Sequence, residues 1–210
     1  MKLFLYRQWP RWIAVLLSLF LLSGCQQALI PELKSDAVIL AYGDSLTVGY
    51  GVNKSQSYPS VLEQLSGFKV INAGVSGETT AKGLKRLEHV LEETQPQLLI
   101  LLEGGNDLLL KVPPESIQDN LAKMIELAQS KQISVLLIGV PEKKLFGDTE
   151  PLYEDLAELY KIPLESDIVA HLLSRPSMKS DFVHFNVLGY RALAEAIYET
   201  LQNTGAMIER

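Results

Sequence analysis

The first segment with catalytic residue types is Gly43-Asp44-Ser45-Leu46-Thr47, which directly follows the apolar run 37–42. A Ser on a tight turn between a strand and a helix exposes its hydroxyl, and amides at the start of a helix point towards negative charge that develops there. Ser45 is therefore a candidate nucleophile. The segment is not the Gly-x-Ser-x-Gly elbow of α/β-hydrolases, because position 47 is Thr. A second interpretation stays open, since Asp and Ser are also favoured at helix starts for structural reasons alone.

A candidate base and its orienting acid lie near the carboxyl end, where Asp181 precedes His184 by three residues. Histidine is the side chain whose unperturbed pKa suits a base at neutral pH. An Asp on the same loop can bond to Nδ1 of the imidazole and turn Nε2 towards a serine. His89 and His171 lie in amphipathic stretches, and we expect them at the surface.

Two more segments contain groups that can bind an oxyanion. Asn72-Ala73-Gly74-Val75-Ser76-Gly77-Glu78-Thr79 follows a second apolar run and leaves the Gly77 amide exposed. Glu103-Gly104-Gly105-Asn106-Asp107 follows a third, and the Asn106 carboxamide donates without carrying a charge. Each segment alone is also compatible with a plain turn. Together with Ser45 and with Asp181 and His184, these segments all fall on loops at one edge of the inferred sheet, which favours a common site.

The pattern of apolar runs predicts the elements that position these groups. Short continuous apolar runs alternate with amphipathic stretches, which is typical of a parallel sheet covered by helices on both faces. We expect one α/β domain, with a three-layer α/β/α sandwich. The predicted strands are 37–42, 68–72, 97–102, 133–140 and a weaker one near 162–164, and the predicted helices are 57–66, 79–93, 115–129, 151–159 and 187–202.

The ordered set of four segments resembles the GDSL or SGNH hydrolases, in particular the bacterial thioesterase, lysophospholipase and arylesterase branch. The similarity spans about residues 37–202. It implies a five-stranded parallel sheet with flavodoxin-like strand order. It also implies a two-step serine esterase in which Ser45 is the nucleophile, His184 the base and Asp181 its orienting acid.

The same resemblance implies that the oxyanion donors are the Ser45 and Gly77 amides and the Asn106 side chain, and that no cofactor is used. The chain departs from the family at Phe185, where Pro commonly follows the catalytic His. We therefore expect the loop to be ordered by packing of the Phe185 ring or by a helix that Asn186 caps.

Composition restricts the partners. The formal net charge of -6 argues against a general nucleic-acid binder, which would carry a basic field. One Cys and three dispersed His leave little for a metal site. We expect a monomer that binds a small ester or lipid substrate without a metal.

The amino-terminal segment has the features of a lipoprotein signal. Basic residues and no acid precede an apolar run over 12–22, which is too short for a comfortable transmembrane helix. Leu22-Ser23-Gly24-Cys25 then resembles the lipobox of bacterial lipoproteins, whose Cys carries diacylglycerol. We expect residues 1–24 to be a signal peptide, 25–36 a tether and 37–210 the hydrolase domain, anchored in the bacterial envelope through Cys25. An ordinary cleaved signal and an uncleaved anchor are the alternatives.

The natural substrate is less well determined by the sequence. Lysophospholipids, fatty-acyl esters, aryl esters and thioesters fit the resemblance, with a carbohydrate O-acetylesterase as the alternative enzyme. An envelope-binding lipoprotein on an inactive hydrolase scaffold is the alternative of another class. Lys143-Lys144-Leu145-Phe146 and Tyr153 are either part of an acyl pocket or a solvated loop with a small core anchor, and the second interpretation is slightly favoured.

Overall fold

Five parallel strands form one sheet in the computed structural model, which describes residues 30–141 and 149–207. Their order across the sheet is β2-β1-β3-β4-β5, which places β1 and β3 side by side at the centre. The strands are β1 (Val38–Gly43), β2 (Lys69–Gly74), β3 (Leu98–Leu102), β4 (Ser134–Ile138) and β5 (Leu164–Glu165).

Eight α-helices lie between or after these strands within the described residues. One layer contains α2 packed on α8, and the other contains α5 between α3 and α6. The helices are α1 (Ser45–Val48), α2 (Tyr58–Ser66), α3 (Thr80–Thr94), α4 (Gly105–Leu109), α5 (Pro114–Ser130), α6 (Leu152–Tyr160), α7 (Ile168–Leu173) and α8 (Val187–Asn203). The three-layer α/β/α sandwich expected from the sequence is confirmed.

The core lies on both faces of the central strands. All five residues of β3 are buried, because helices cover this strand on each side. In α5 the buried residues recur at helical spacing, so that one face of the helix meets the sheet. They are Ile117, Leu121, Met124, Ile125 and Ala128.

The folded part begins earlier than the sequence suggested. Ile30 and Leu33 are buried in the main core, and their amides donate to the carbonyls of Thr204 and Ala206 just after α8. Residues 30–36 therefore do not behave as the polar tether that we expected over 25–36. Ile30 and Leu33 pack against the main core, and the composition of this short stretch alone does not indicate that contact.

Within the described ranges, no helix combines the length and apolar character that crossing a membrane requires. Cys25 and the signal segment lie outside the described residues, as does the segment Lys143–Phe146. The interpretation of both segments therefore stays a prediction.

Candidate active site

The register of the three central strands brings the motif segments together. Gly43 at the end of β1 pairs with Gly74 on one side and with Leu102 on the other. All three strands thus end level with one another, and the residues that follow them share the carboxyl edge of the sheet. This is the edge at which open α/β sheets bind ligands.

Ser45 is the first residue of α1, immediately after β1. Asp44 caps this short helix by accepting the Leu46 amide at 2.9 Å. Asp44 is buried, which raises its pKa to about 6 although the Leu46 amide acts in the opposite direction. Gly74 permits β2 to end close to α1, because a Cβ there would lie 2.4 Å from the Val48 nitrogen. Asp44 therefore has a structural role beside Ser45, which is half-buried and lines a cavity.

His184 connects Ser45 to Asp181. Its Nε2 lies 2.9 Å from Oγ of Ser45, and its Nδ1 lies 2.8 Å from Oδ2 of Asp181. In the neutral tautomer with the proton on Nδ1, Nε2 is free to accept the Ser45 proton. Ser45 and His184 are 139 residues apart in the sequence, and the fold brings them into contact.

The loop that carries this histidine is ordered by Asp181. Its Oδ1 accepts the amides of Val183 and His184 at 2.9 and 2.8 Å. Although partial burial acts against it, hydrogen bonds from the His184 ring and these amides hold the pKa of Asp181 below its ordinary value. The Asp181 carboxylate therefore stays ionised where it orients the imidazole.

The two features expected to replace the usual Pro are both present. The Phe185 side chain is completely buried, and Asn186 caps α8 by accepting the Gly189 amide at 3.1 Å. Tyr50 adds a contact that the sequence did not suggest, since its ring lies 4.4 Å from the imidazole of His184. The sequence does not indicate this contact, because a single exposed aromatic residue after a Ser motif forms no recognisable pattern.

The three expected oxyanion donors differ in their availability. The Ser45 amide opens α1 and has no preceding helical turn to bond to. Gly77 has a positive φ of 75° in the turn after β2. Asn106 is different, because its Nδ2 already donates to Glu78 O at 2.8 Å and to Asp44 Oδ2 at 3.0 Å. All three residues line one cavity.

A buried ion pair supports the turn that contains Gly77. Arg86 on α3 donates from Nε to both carboxylate oxygens of Glu78, and from a terminal nitrogen to Glu78 and to the carbonyl of Ala73. The guanidinium also stacks 4.0 Å above the Tyr42 ring. Glu78 is only 4% exposed, and Arg86 is the cation bonded to its carboxylate. Sequence reasoning missed this pair because its members belong to different elements.

Two further carboxyl groups lie beneath the site. Asp107 accepts both the amide and the hydroxyl of Thr80, which fixes the start of α3 against the end of β3. Glu103 is completely buried, and neither of its oxygens has a hydrogen-bond partner among the described residues. Burial, with a further contribution from Asp44 and Glu78, raises the pKa of Glu103 well above its usual range. We conclude that Glu103 is neutral at pH 7.

The cavity beside Ser45 has a volume of about 600 Å³. Its apolar lining comes from α1, α4, the segment after β4, and α7, and the sequence analysis did not predict this set of residues. These side chains are Leu46, Leu108, Val140, Val169, Ala170 and Leu173. Tyr153 does not take part, because it is buried and donates to the Glu103 carbonyl at 2.7 Å. Tyr153 is therefore a core anchor, which agrees with the favoured interpretation.

The two remaining histidines do not line this cavity. His89 on α3 and His171 on α7 are both exposed, and His89 pairs with Glu93 four residues later. Over residues 30–141 and 149–207, no group of three or more His, Cys, Asp or Glu side chains has the geometry to hold a metal ion.

Comparison with known proteins places the whole arrangement in context. A model described as the GDSL-like Lipase/Acylhydrolase family matches residues 41–192. The chain is 35% identical over 157 residues to an arylesterase of Vibrio mimicus, covering 70% of this chain and 78% of that protein. It is 27% identical over 172 residues to thioesterase 1/protease 1/lysophospholipase L1 of Escherichia coli, covering 78% and 83% of the two chains. The crystal structure of AlinE4, an SGNH-hydrolase family esterase, matches with a TM-score of 0.64 at 34% identity, covering 82% of this chain and 98% of that one.

Proposed function

Because the chain belongs to the GDSL-like lipase/acylhydrolase family and is an ester-bond hydrolase, we propose that it cleaves carboxylic esters or thioesters through an acyl-enzyme on Ser45. His184 is the base in this proposal and Asp181 its orienting acid. The observation that carries it is the continuous path from Ser45 Oγ through both ring nitrogens of His184 to Asp181, with distances of 2.9 and 2.8 Å.

The proposed reaction has two acyl-transfer steps. His184 Nε2 accepts the Ser45 proton while Oγ attacks the carbonyl carbon, and the resulting imidazolium gives that proton to the departing alcohol or thiol. His184 then accepts a proton from water, which attacks the acyl-enzyme and releases the carboxylic acid. The proton finally returns to Ser45, so the enzyme is regenerated without a cofactor.

The oxyanion formed in each step would be bound by the Ser45 and Gly77 amides and by Asn106. The Asn106 bond to Asp44 is the longer of its two, and this N–H is the one that an oxyanion could share. Removing one such donor typically raises the barrier by roughly 3–4 kcal/mol. The Arg86–Glu78 pair supports this hole indirectly, by holding the turn that contains Gly77.

The lining of the cavity favours apolar acyl groups. Its apolar side chains suit fatty-acyl or aryl esters, including lysophospholipid and thioester substrates, better than the hydroxyl-rich surface of an acetylated sugar. The names arylesterase and thioesterase/lysophospholipase among the relatives agree with this preference. The assembled Ser45–His184 contact also favours an active enzyme over an inactive binding protein.

Labelling by a fluorophosphonate probe tests the nucleophile. We expect the wild-type protein to be labelled and Ser45→Ala to be neither labelled nor active, with an unchanged thermal midpoint. Ser76→Ala is the matched control, because Ser76 is exposed and lines the same cavity. Inactivation by Ser76→Ala with an active Ser45→Ala enzyme would contradict the assignment.

A chain-length series of p-nitrophenyl esters tests the substrate class. We expect kcat/KM to rise from acetate to medium-chain esters and to exceed the value for acetylated sugars. A preference for acetylated sugar over every apolar ester would support the carbohydrate esterase instead.

We also propose that Cys25 is lipidated and holds the enzyme on a bacterial envelope membrane, facing the periplasm or the exterior. The motif Leu22-Ser23-Gly24-Cys25 supports this proposal. Stable anchoring generally takes more than one acyl chain, which amino-terminal acylation of the same residue would supply. Incorporation of radiolabelled palmitate is the test, and uptake by Cys25→Ser at the wild-type level would refute it.

A further inference from the structure

The benzene rings of the cavity lie on the side of the catalytic loop. Among the described residues that line the cavity, Tyr50 and Phe182 are the two with such a ring. The Tyr50 ring lies 4.4 Å from the imidazole of His184, and Phe182 precedes this histidine by two residues on the same loop. The aliphatic lining comes mainly from α1, α4 and α7. The cavity therefore has an aromatic part beside His184 and a mainly aliphatic part formed by these helices.

The backbone around Tyr50 determines where its ring projects. The Tyr50 amide donates to the Ser45 carbonyl at 3.0 Å, and the Tyr50 carbonyl accepts the Tyr190 hydroxyl at 3.0 Å. Gly49 and Gly51 have positive φ angles of 82° and 89°, a conformation that residues with a Cβ seldom adopt. The ring is therefore held in the cavity by a tight turn that is bonded on both sides.

The reaction places the alcohol part of the ester on this same side. In the proposed mechanism Nε2 of His184 gives its proton to the leaving oxygen, so this oxygen must come within hydrogen-bond distance of Nε2. The oxyanion faces its own donors, and the acyl chain takes the remaining direction at the tetrahedral carbon. The leaving group is thus the part of the substrate that meets Tyr50 and Phe182.

Both aromatic side chains offer a large surface to a ligand. Tyr50 is 52% exposed and Phe182 is 79% exposed, and each lines the cavity. An aromatic ligand can contact such rings by offset stacking or edge-on packing, which a saturated ring of similar size does not provide. This part of the cavity therefore suits an aromatic leaving group better than an aliphatic one.

We propose that Tyr50 and Phe182 form a leaving-group subsite that selects esters of aromatic alcohols, whereas the aliphatic lining from α4 and α7 receives the acyl chain. The proposal rests on the acyl-enzyme mechanism at Ser45 and assigns the two halves of the ester to different parts of the cavity. Tyr50 is a specificity-determining residue in this arrangement, because its ring contacts the leaving group beside the atom that protonates it.

Two butyrate esters test the subsite, one of benzyl alcohol and one of cyclohexylmethanol. The two alcohols have the same carbon skeleton and both leave as primary alcohols, so they differ mainly in the aromatic face of the ring. We expect kcat/KM of the wild-type protein to be at least about threefold higher for the benzyl ester, the size of effect typical of one aromatic pair. Equal hydrolysis of the two esters, or a preference for the saturated one, would overturn the proposal.

Cavity variants identify the residues that discriminate. Tyr50→Phe keeps the ring and should keep the ratio, whereas Tyr50→Leu should lower the ratio to about one. Phe182→Leu should also lower it. Both esters are measured on each variant, so a general loss of activity through His184 cancels in the ratio.

Tyr160→Leu is the matched control for these variants. Tyr160 ends α6 and donates to Glu126 on α5 instead of lining the cavity. Its loss should leave the ratio unchanged. An unchanged ratio in Tyr50→Leu or Phe182→Leu, or an equal fall in Tyr160→Leu, would overturn the proposal.

A variant of the aliphatic part should give the reciprocal result. Leu173→Ala on α7 should change kcat/KM for octanoate relative to butyrate esters at least about twofold, because buried methylene contacts are lost. It should not change the ratio of benzyl to cyclohexylmethyl ester, and a changed ratio would contradict the division of the cavity. Failure of the wild-type protein to hydrolyse either ester or to bind the fluorophosphonate probe would refute the serine esterase mechanism itself, whereas equal hydrolysis of both esters would refute the subsite alone.

Discussion

The ring of Phe185 lies edge-on to the ring of Tyr190, with 5.5 Å between their centroids, and both side chains are completely buried. Tyr190 in turn donates from its hydroxyl to the Tyr50 carbonyl at 3.0 Å. Phe185, the residue after His184, is thus part of a packed bridge between α8 and the loop that carries Tyr50. This packing takes the place of the backbone restraint that a Pro would provide.

Phe185→Ala should lower the free energy of unfolding by about 3–5 kcal/mol, because it leaves a cavity next to Tyr190. Complete burial of the ring makes this stability loss substantial. Urea unfolding measured beside kcat will separate this loss from an effect on turnover. Phe185→Leu should cost about 1 kcal/mol, and a Phe185→Ala protein of wild-type stability would contradict the packing role.

Phe185→Pro should also lower the stability of the protein. Pro would remove both the Phe185 N–H and the buried ring. We expect a thermal midpoint at or below that of Phe185→Ala. A Phe185→Pro protein as stable as the wild type would show that neither group matters.

Asp181→Asn should lower kcat on the order of 10⁴-fold, the size of effect seen when the equivalent change fixes the wrong tautomer in another serine hydrolase. An Asn oxygen can still accept the Val183 and His184 amides, so the loop should keep its shape. Its NH₂ group would face Nδ1 and leave the proton on Nε2, where it cannot accept from Ser45. Thermal unfolding should show a small change, and an active Asp181→Asn enzyme would refute the orienting role.

Arg86→Leu should destabilise the fold by about 3 kcal/mol, because it leaves the buried Glu78 carboxylate without its cation. The Gly77 turn should also loosen, so kcat should fall. Arg191→Leu is the matched control, since the Arg191–Glu195 pair is exposed and typically contributes less than about 1 kcal/mol. Equal losses in chemical denaturation would show that burial of Glu78 is unimportant.

Glu103→Gln should stabilise the protein at pH 8 and change little near pH 4. The raised pKa of Glu103 means that the folded state binds this proton more tightly than the unfolded state. Wild-type stability is therefore lost as the pH rises above about 4.5, by up to about 1.4 kcal/mol per pH unit. Gln removes this titration. Urea unfolding at pH 4, 6 and 8 measures the difference between the two proteins.

The control for that experiment is Glu158→Gln on the exposed side of α6. This surface change should alter stability little at any of the three pH values. A Glu103→Gln protein whose advantage does not grow with pH would contradict the assignment of a neutral Glu103.

Several elements of the fold could be predicted because their signals are local. The helix expected over 115–129 is observed over Pro114–Ser130, since apolar residues at helical spacing form one continuous face. The short α1, α4 and α7 were not predicted, because four to six residues carry too little periodicity. The strand end at Gly43 was placed within one residue of its observed position.

What the sequence by itself determined is that Ser45, Gly77 and Asn106 follow strands and that His184 precedes the last helix, which predicts a common site at one edge of a parallel sheet. Only the tertiary structure decided how they meet. It engages both Asn106 N–H groups, pairs Arg86 with Glu78, places Tyr50 on His184 and packs Ile30 at the far end of α8. The physical reason is that the positions of strands and long helices along the chain follow from local hydrophobic patterns, whereas contacts between residues distant in the chain depend on how whole elements pack.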